Sequence, residues 1–194
     1  MRLLIATVAL MVLAQSTNEQ ESSLRERLLQ SKGNIRLSTV FNEAPVLPID
    51  DVNVEIYRIT FIPTFFKPIK VRIEKRKGQY MIVAKRLSGQ GGFDAGTLES
   101  EKRRGLKHSE WRHLVSLLAA ADFWSMPYLD KEPQPNDKGE VEICLDGSEW
   151  VLEGVKEGKF HAVNRYCPAD KRFQEIGSYL AKLSGLKIKE RELY

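Results

Sequence analysis

Most of the signatures that name a reaction are missing from this chain. It has no Gly-x-Ser-x-Gly elbow to expose a nucleophilic serine, and no H-E-x-x-H or C-x-x-C pair to hold a metal. The glycines at 89, 91, 92 and 96 lack the spacing of a phosphate-cradling loop, so Leu87–Leu106 reads as a loop without that role. His108 and His113 are five residues apart and diverge by about 140° on a helix, so they do not share a metal. No cofactor and no metal are implied. Aromatic residues make up only 9% of the 194, and the formal charge is only +4. That small excess suits an acidic partner but lacks the sharp basic face of a nucleic-acid binder. The group Lys102-Arg103-Arg104 with Lys107 reads as a solvated face. After the first residues no apolar run reaches the length of a membrane span.

What is present begins with 1–16. Arg2 forms a positive n-region, Leu3–Leu13 an apolar h-region, and Val12-Leu13-Ala14 a cleavage site, with Ser16 the alternative. The run is short for a bilayer anchor, and no cysteine follows to carry a lipid. The expectation is a signal peptide and an exported, periplasmic or secreted protein. Segment 17–50 is expected to be extended or partly helical, with Leu24, Leu28 and Leu29 at helical spacing and Pro45 and Pro48 in an extended lead-in. A single domain should occupy 51–186, and 187–194 reads as a charged tail. With 42% hydrophobic residues there is enough material for one real core.

Within the domain, Val52–Phe61 alternates but changes phase, which predicts a bulge near Ile56-Tyr57. Ile69, Val71 and Ile73 should face inward, with Lys70, Arg72 and Glu74 outward. Lys77-Gly78 turns the chain into a third strand around Tyr80–Lys85. Ser109 is placed as the cap of a helix running to about Phe123, with Trp111, Leu114, Val115, Leu118 and Ala121 as its apolar stripe. Asp170 caps a second helix over Lys171–Leu183, which Gly185 stops. Three further strands are expected at about Val141–Leu145, Trp150–Glu153 and Lys159–Arg165. The fold class is α+β: an antiparallel sheet of about six strands in the order β-β-β-α-β-β-β-α, with the helices on one face.

The stretch Cys144–Pro168 carries the best functional candidates. If Val155 and Gly158 close its second hairpin, Leu152 faces His161 and Trp150 faces Val163. Trp150, Leu152, His161, Val163 and Arg165 then share one face, and Glu153 lies on the other, which argues against a Glu153–His161 dyad. Trp150, His161 and Arg165 could bind a small anionic or sugar-like ligand. The competing reading makes Trp150 core, His161 a satisfied half-buried residue and Arg165 an edge side chain. Cys144 and Cys167 fall on the outer strands of this meander, roughly 9–10 Å apart, beyond the reach of a disulfide unless the chain turns sharply at Tyr166–Pro168. Both thiols are therefore expected to be free.

The string Gly92-Phe93-Asp94-Ala95-Gly96, Ser109-Glu110-Trp111, Phe123-Trp124-Ser125-Met126-Pro127 and then D-G-x-x-W-x-L-E-G-x-x-x-G-x-x-H-x-V-x-R-x-x-P from Asp146 to Pro168 resembles a group of small exported bacterial proteins with no assigned activity. The resemblance covers about Gly78–Gly185 and implies an antiparallel α+β domain. In that group an aromatic residue and serine are typical where Tyr166 and Cys167 stand here.

The expectation for function is a non-catalytic exported domain that binds an unidentified protein or envelope component through an open sheet face. The alternative is a hydrolase-like enzyme or small-ligand binder centred on His161 and Arg165, with Trp150 and Glu153 as the other candidate residues. No nucleic acid and no membrane span are expected, and the oligomeric state is left open.

Overall fold

The computed structural model describes residues 39–43, 46, 51, 53–92, 94–129 and 144–194. The chain divides into two compact units, Met1–Thr39 and Val40–Tyr194, and everything below belongs to the second. The expected signal peptide and the stretch with Leu24, Leu28 and Leu29 at helical spacing lie outside the described residues.

Six strands form one antiparallel sheet: β1 (Glu55–Pro63), β2 (Ile69–Arg76), β3 (Gln79–Leu87), β4 (Leu98–Gly105), β5 (Ser148–Lys156) and β6 (Lys159–Tyr166). Their order across the sheet is β4-β3-β2-β1-β5-β6. Helix α1 (His108–Ala120) enters between β4 and β5, and α2 (Lys171–Leu183) follows β6. The α+β class, the six antiparallel strands and the helices on one face are as the sequence leads one to expect. Among the described residues no helix is long and apolar enough to cross a membrane.

The succession of elements differs from expectation, being β-β-β-β-α-β-β-α. Leu98–Gly105 is a strand rather than a loop. It sits at the sheet edge and is exposed along nearly its whole length, so it needs only backbone bonds to β3 and carries no apolar alternation to betray it. Of the strand expected at Val141–Leu145, residues 141–143 lie outside the described residues. Cys144 and Leu145 are not in a strand.

No bulge interrupts β1. Its register runs unbroken against β2 from Glu55 to Phe61 and against β5 from Ile56 to Pro63. The phase change has another cause: β1 is central and covered on both sides. Tyr57, Ile59 and Phe61 face the helices while Ile56, on the opposite side, is also buried.

The helix-side core joins Tyr57, Ile59, Phe61, Val71, Ile73, Trp150, Leu152 and Val163 to Trp111, Leu114 and Leu118 of α1 and Phe173, Ile176 and Leu180 of α2. Helix α2 begins at Asp170 as expected, whose carboxylate accepts from Arg172 N at 2.8 Å and Phe173 N at 3.2 Å. The start of α1 is capped differently. Lys107, not Ser109, is the cap, and Glu110 reaches back to accept its backbone N–H at 2.8 Å. The residues read as a charged tail return to the core. Leu193 is buried, and Trp150 Nε1 donates to its carbonyl at 2.7 Å.

Candidate functional site

The four residues singled out from the sequence occupy three different environments. The β5–β6 turn uses only Glu157 and Gly158, both left-handed at φ +53° and +75°. That turn conformation matches strand twist, and it makes Lys156 and Lys159 the closing pair. The register is therefore two residues away from the expected one: Gly154 faces His161, Leu152 faces Val163 and Trp150 faces Arg165. A shift by two preserves the faces, so His161 and Arg165 stay with Trp150, and Glu153 stays opposite.

Trp150 is fully buried. It lies edge-on to Phe61 at 4.9 Å and against Tyr194 at 5.2 Å. Gly177 of α2 leaves room for the indole, since a Cβ there would strike its ring. Arg165 is buried too, and its guanidinium donates to the carbonyls of Pro127 (3.0 Å), Tyr128 (3.0 Å) and Asn164 (2.8 Å). The ring it covers is Phe173, 5.7 Å away. It thus ties the segment leaving the Phe123–Ser125 turn to the edge of the sheet. His161 is half-buried between Phe123, at 5.0 Å, and Trp124, at 6.0 Å. Burial lowers its pKa, the Arg165 charge adds to this, and the backbone at Met126 and Phe123 opposes it. His161 Nε2 is buried without a hydrogen-bond partner.

Glu153 belongs to a charged layer on the face away from the helices. Arg58 lies directly across from it, donating through Nε at 2.6 Å and Nη2 at 2.8 Å. Burial works against the Arg58 charge, but the Glu153 and Glu43 carboxylates together more than offset this and raise its pKa. Arg58 stands opposite Arg72 on β2, and Lys70 stands opposite Lys85 on β3. Four cations therefore form a block on the adjoining inner strands β1, β2 and β3. Arg58, Lys70, Lys85 and Glu153 are only 4–8% exposed. The expected open sheet face is not open at its centre, because Phe41 and Glu43 lie over it. Lys85 Nζ donates to the carbonyls of Phe41 at 3.0 Å and Asn42 at 2.9 Å, and Lys70 Nζ lies 4.6 Å from the Phe41 ring. The Glu43 carboxylate reaches Arg72 at 3.3 Å, Arg58 at 3.7 Å and Lys85 at 3.8 Å. Burial and the Arg58 charge push the Lys70 pKa down to about 8. Lys70 and Arg72 were expected to point at solvent. The missed signal was Arg58, a charge in the middle of an otherwise apolar central strand, which needs partners on its own face.

A third group of residues gathers at the sheet end where β1 meets β2. Cys144 and Cys167 are joined by a disulfide with Cα atoms 6.4 Å apart, against the expectation of free thiols. Two departures bring them together. Cys144 is not held in a strand, and Cys167 adopts a left-handed φ of +50°, the sharp turn after β6 that the bond requires. Gly147 lies beneath both sulfurs, where any Cβ would collide with them. Its carbonyl accepts from Thr64 N at 3.1 Å and Thr64 Oγ1 at 2.7 Å. Tyr166 Oη donates to the Leu145 carbonyl at 3.1 Å. On the other side Gly91, at φ +89°, packs so closely on the Pro63 and Phe66 carbonyls that only glycine fits. Around this fixed node Phe65 is 64%, Leu145 79% and Tyr166 50% exposed.

No family model, no curated protein and no solved structure matches this chain. Among the described residues no group of His, Cys, Asp or Glu could hold a metal ion.

Proposed function

We propose that this protein is an exported interaction domain that engages a protein partner through the disulfide-tied end of its sheet. The observation that carries this reading is the exposure of Phe65, Leu145 and Tyr166 around one rigid backbone node. Exposed apolar side chains on fixed backbone make good anchors, because little conformational entropy is lost when a partner covers them. The partner surface that fits is apolar at its centre. Export is supported by the n/h/c order of 1–16 and by the disulfide, which belongs to an oxidising compartment.

Two measurements test this. Mass spectrometry of the exported protein should find a mature N-terminus at Gln15 or Thr17, and an intact Met1 overturns the export half. A photo-crosslinking residue placed at Phe65 or Leu145 in the producing cells should yield one discrete protein adduct, absent from a control at the exposed Glu175 of α2. The same pattern from all three positions, or none, overturns the docking half.

The second reading is a hydrolase-like enzyme or small-ligand binder at His161 and Arg165. It is favoured by the partnerless Nε2 of a half-buried imidazole. It ranks second because Arg165 is already engaged with three backbone carbonyls and Glu153 lies on the other face.

A further inference from the structure

The cationic block on the second face goes beyond the docking reading and does not depend on it. In any sheet, like charges directly opposite each other on neighbouring strands repel. Here two such pairs adjoin, Arg58 with Arg72 and Lys70 with Lys85, and they are largely out of water. Taking this layer with its outer members, Arg58, Lys70, Arg72, Arg76, Lys85 and Arg103 face the carboxylates of Glu43, Glu74, Glu101 and Glu153. Among the described residues that leaves an excess of two positive charges. Glu74 turns outward to Arg76 and Arg72, and Glu101 is shared between Lys85 and Arg103. At the centre Glu43 alone spans three cations, none closer than 3.3 Å. Arg72 Nε and Glu43 Oε1 are buried 3.3 Å apart without a hydrogen bond, so the single planar carboxylate leaves that donor unsatisfied. Lys70 has the Phe41 ring beside it and, among the described residues, no carboxylate within ion-pair distance.

We infer that Arg58, Lys70, Arg72 and Lys85 form a binding site for a phosphate dianion, which Glu43 fills as a tethered occupant. A phosphate dianion in place of the Glu43 carboxylate adds one negative charge to this cationic layer. It also brings more acceptor oxygens than a carboxylate, at a site whose donors come from four side chains. Exchange needs only the Glu43 side chain to swing away. Phe41 and the carbonyls of residues 41 and 42 can stay on Lys85. The left-handed turn at Asn42, φ +48°, sets Glu43 apart from that anchored piece.

The test uses the full chain and inorganic phosphate, read by thermal unfolding and calorimetry against chloride at matched ionic strength. The wild-type protein should respond weakly. Glu43→Gln, which keeps shape and loses charge, and Glu43→Ala should bind phosphate about tenfold or more tightly, the gain expected when an occupant holding about nine-tenths of the sites is removed. Adding Lys70→Met to either should abolish the gain, whereas Lys171→Ala on the exposed start of α2 should leave it intact. Acetate should bind more weakly than phosphate. Glycerol phosphate separates the two sources: equal binding means a phosphate carried on a larger molecule, and binding of inorganic phosphate alone means the free ion. If both Glu43 variants fold and show no gain over wild type, or acetate and chloride match phosphate, the inference is overturned and the block is a structural ion-pair network.

Discussion

The two faces of one sheet are built from alternate residues of the same strands, yet they are held by different physics. On β1, Tyr57, Ile59 and Phe61 meet the helices, while Arg58 and Thr60, between them in sequence, enter the charged layer. The helix face gains from every apolar group it hides, roughly in proportion to area. The second face must first remove arginine and lysine from water, and it recovers that cost only where a carboxylate is well placed. Arg58 and Glu153 meet that condition with two short bonds. Lys70 does not. The comparison teaches that burial alone does not mark what stabilises this fold. Fully buried Trp150 and nearly buried Lys70 should contribute with opposite signs.

The sharpest break of the helix face is Trp150→Ala. It empties a site lined by Phe61, Phe173 and Tyr194 and removes the bond to the Leu193 carbonyl, so it should cost about 3–5 kcal/mol in a denaturant titration. Arg165→Ala should cost less than this. Wild-type stability for Trp150→Ala would mean that the indole does not anchor the core.

On the second face the matching break is Glu153→Ala, which removes the two short bonds to buried Arg58 and leaves the more distant Glu43 as its remaining carboxylate among the described residues. About 3 kcal/mol should be lost. Replacing both partners, Arg58→Met with Glu153→Met, should recover most of that loss, because the paired charges are nearly balanced by their desolvation. A double variant as unstable as the single one would show that the pair contributes real net stability, and the contrast between the faces would narrow.

The disulfide belongs to neither face and tests the sheet end. Cys144→Ser with Cys167→Ser should lower stability by about 2–4 kcal/mol, the usual range for a disulfide, here across a 23-residue separation. Much of the node should survive through the Thr64–Gly147 bonds, so binding through Phe65 should weaken rather than vanish. Alkylation without reductant should find no free thiol in the native protein.

How much of this was legible beforehand follows the same division. Helix α2 could be read to the residue, because Asp170, the apolar stripe and Gly185 all mark it locally. The faces of the last hairpin were legible from alternation, since parity survives a two-residue slip. Strand β4 was not, because an exposed edge strand has no apolar period. The disulfide was not, because it depends on a left-handed turn at Cys167 that a non-glycine residue does not advertise. The charged layer was read as solvent-facing, because Lys70, Arg72 and Glu74 alternate as surface residues do. Only the cover from Phe41 and Glu43, far off in sequence, makes them interior.

Lys70 offers the smallest effect and the most specific one. Its ammonium is disfavoured by burial and by Arg58 and Lys85, and supported only partly by Glu153 and Glu43, so its pKa falls to about 8 in the folded protein. The unfolded chain holds the same proton to about 10.4. Between these values the unfolded state binds more protons, so stability must rise with pH. The penalty is fully present below about pH 8 and is relieved as the lysine loses its proton. From about pH 7 to pH 9 the gain should be about 1 kcal/mol. The disulfide leaves Cys144 and Cys167 out of this window, burial places the His161 transition below it, and the raised pKa of Tyr57 places that phenol above it. Lys70→Met should keep the aliphatic packing against Phe41, remove the penalty, flatten the pH dependence and make the protein more stable at pH 7. Denaturant curves at the two pH values measure this directly. Should Lys70→Met destabilise the fold, or stability fall between pH 7 and 9, the lysine is a net stabiliser of the second face. In that case the two faces differ in composition but not in the sign of what their buried residues contribute.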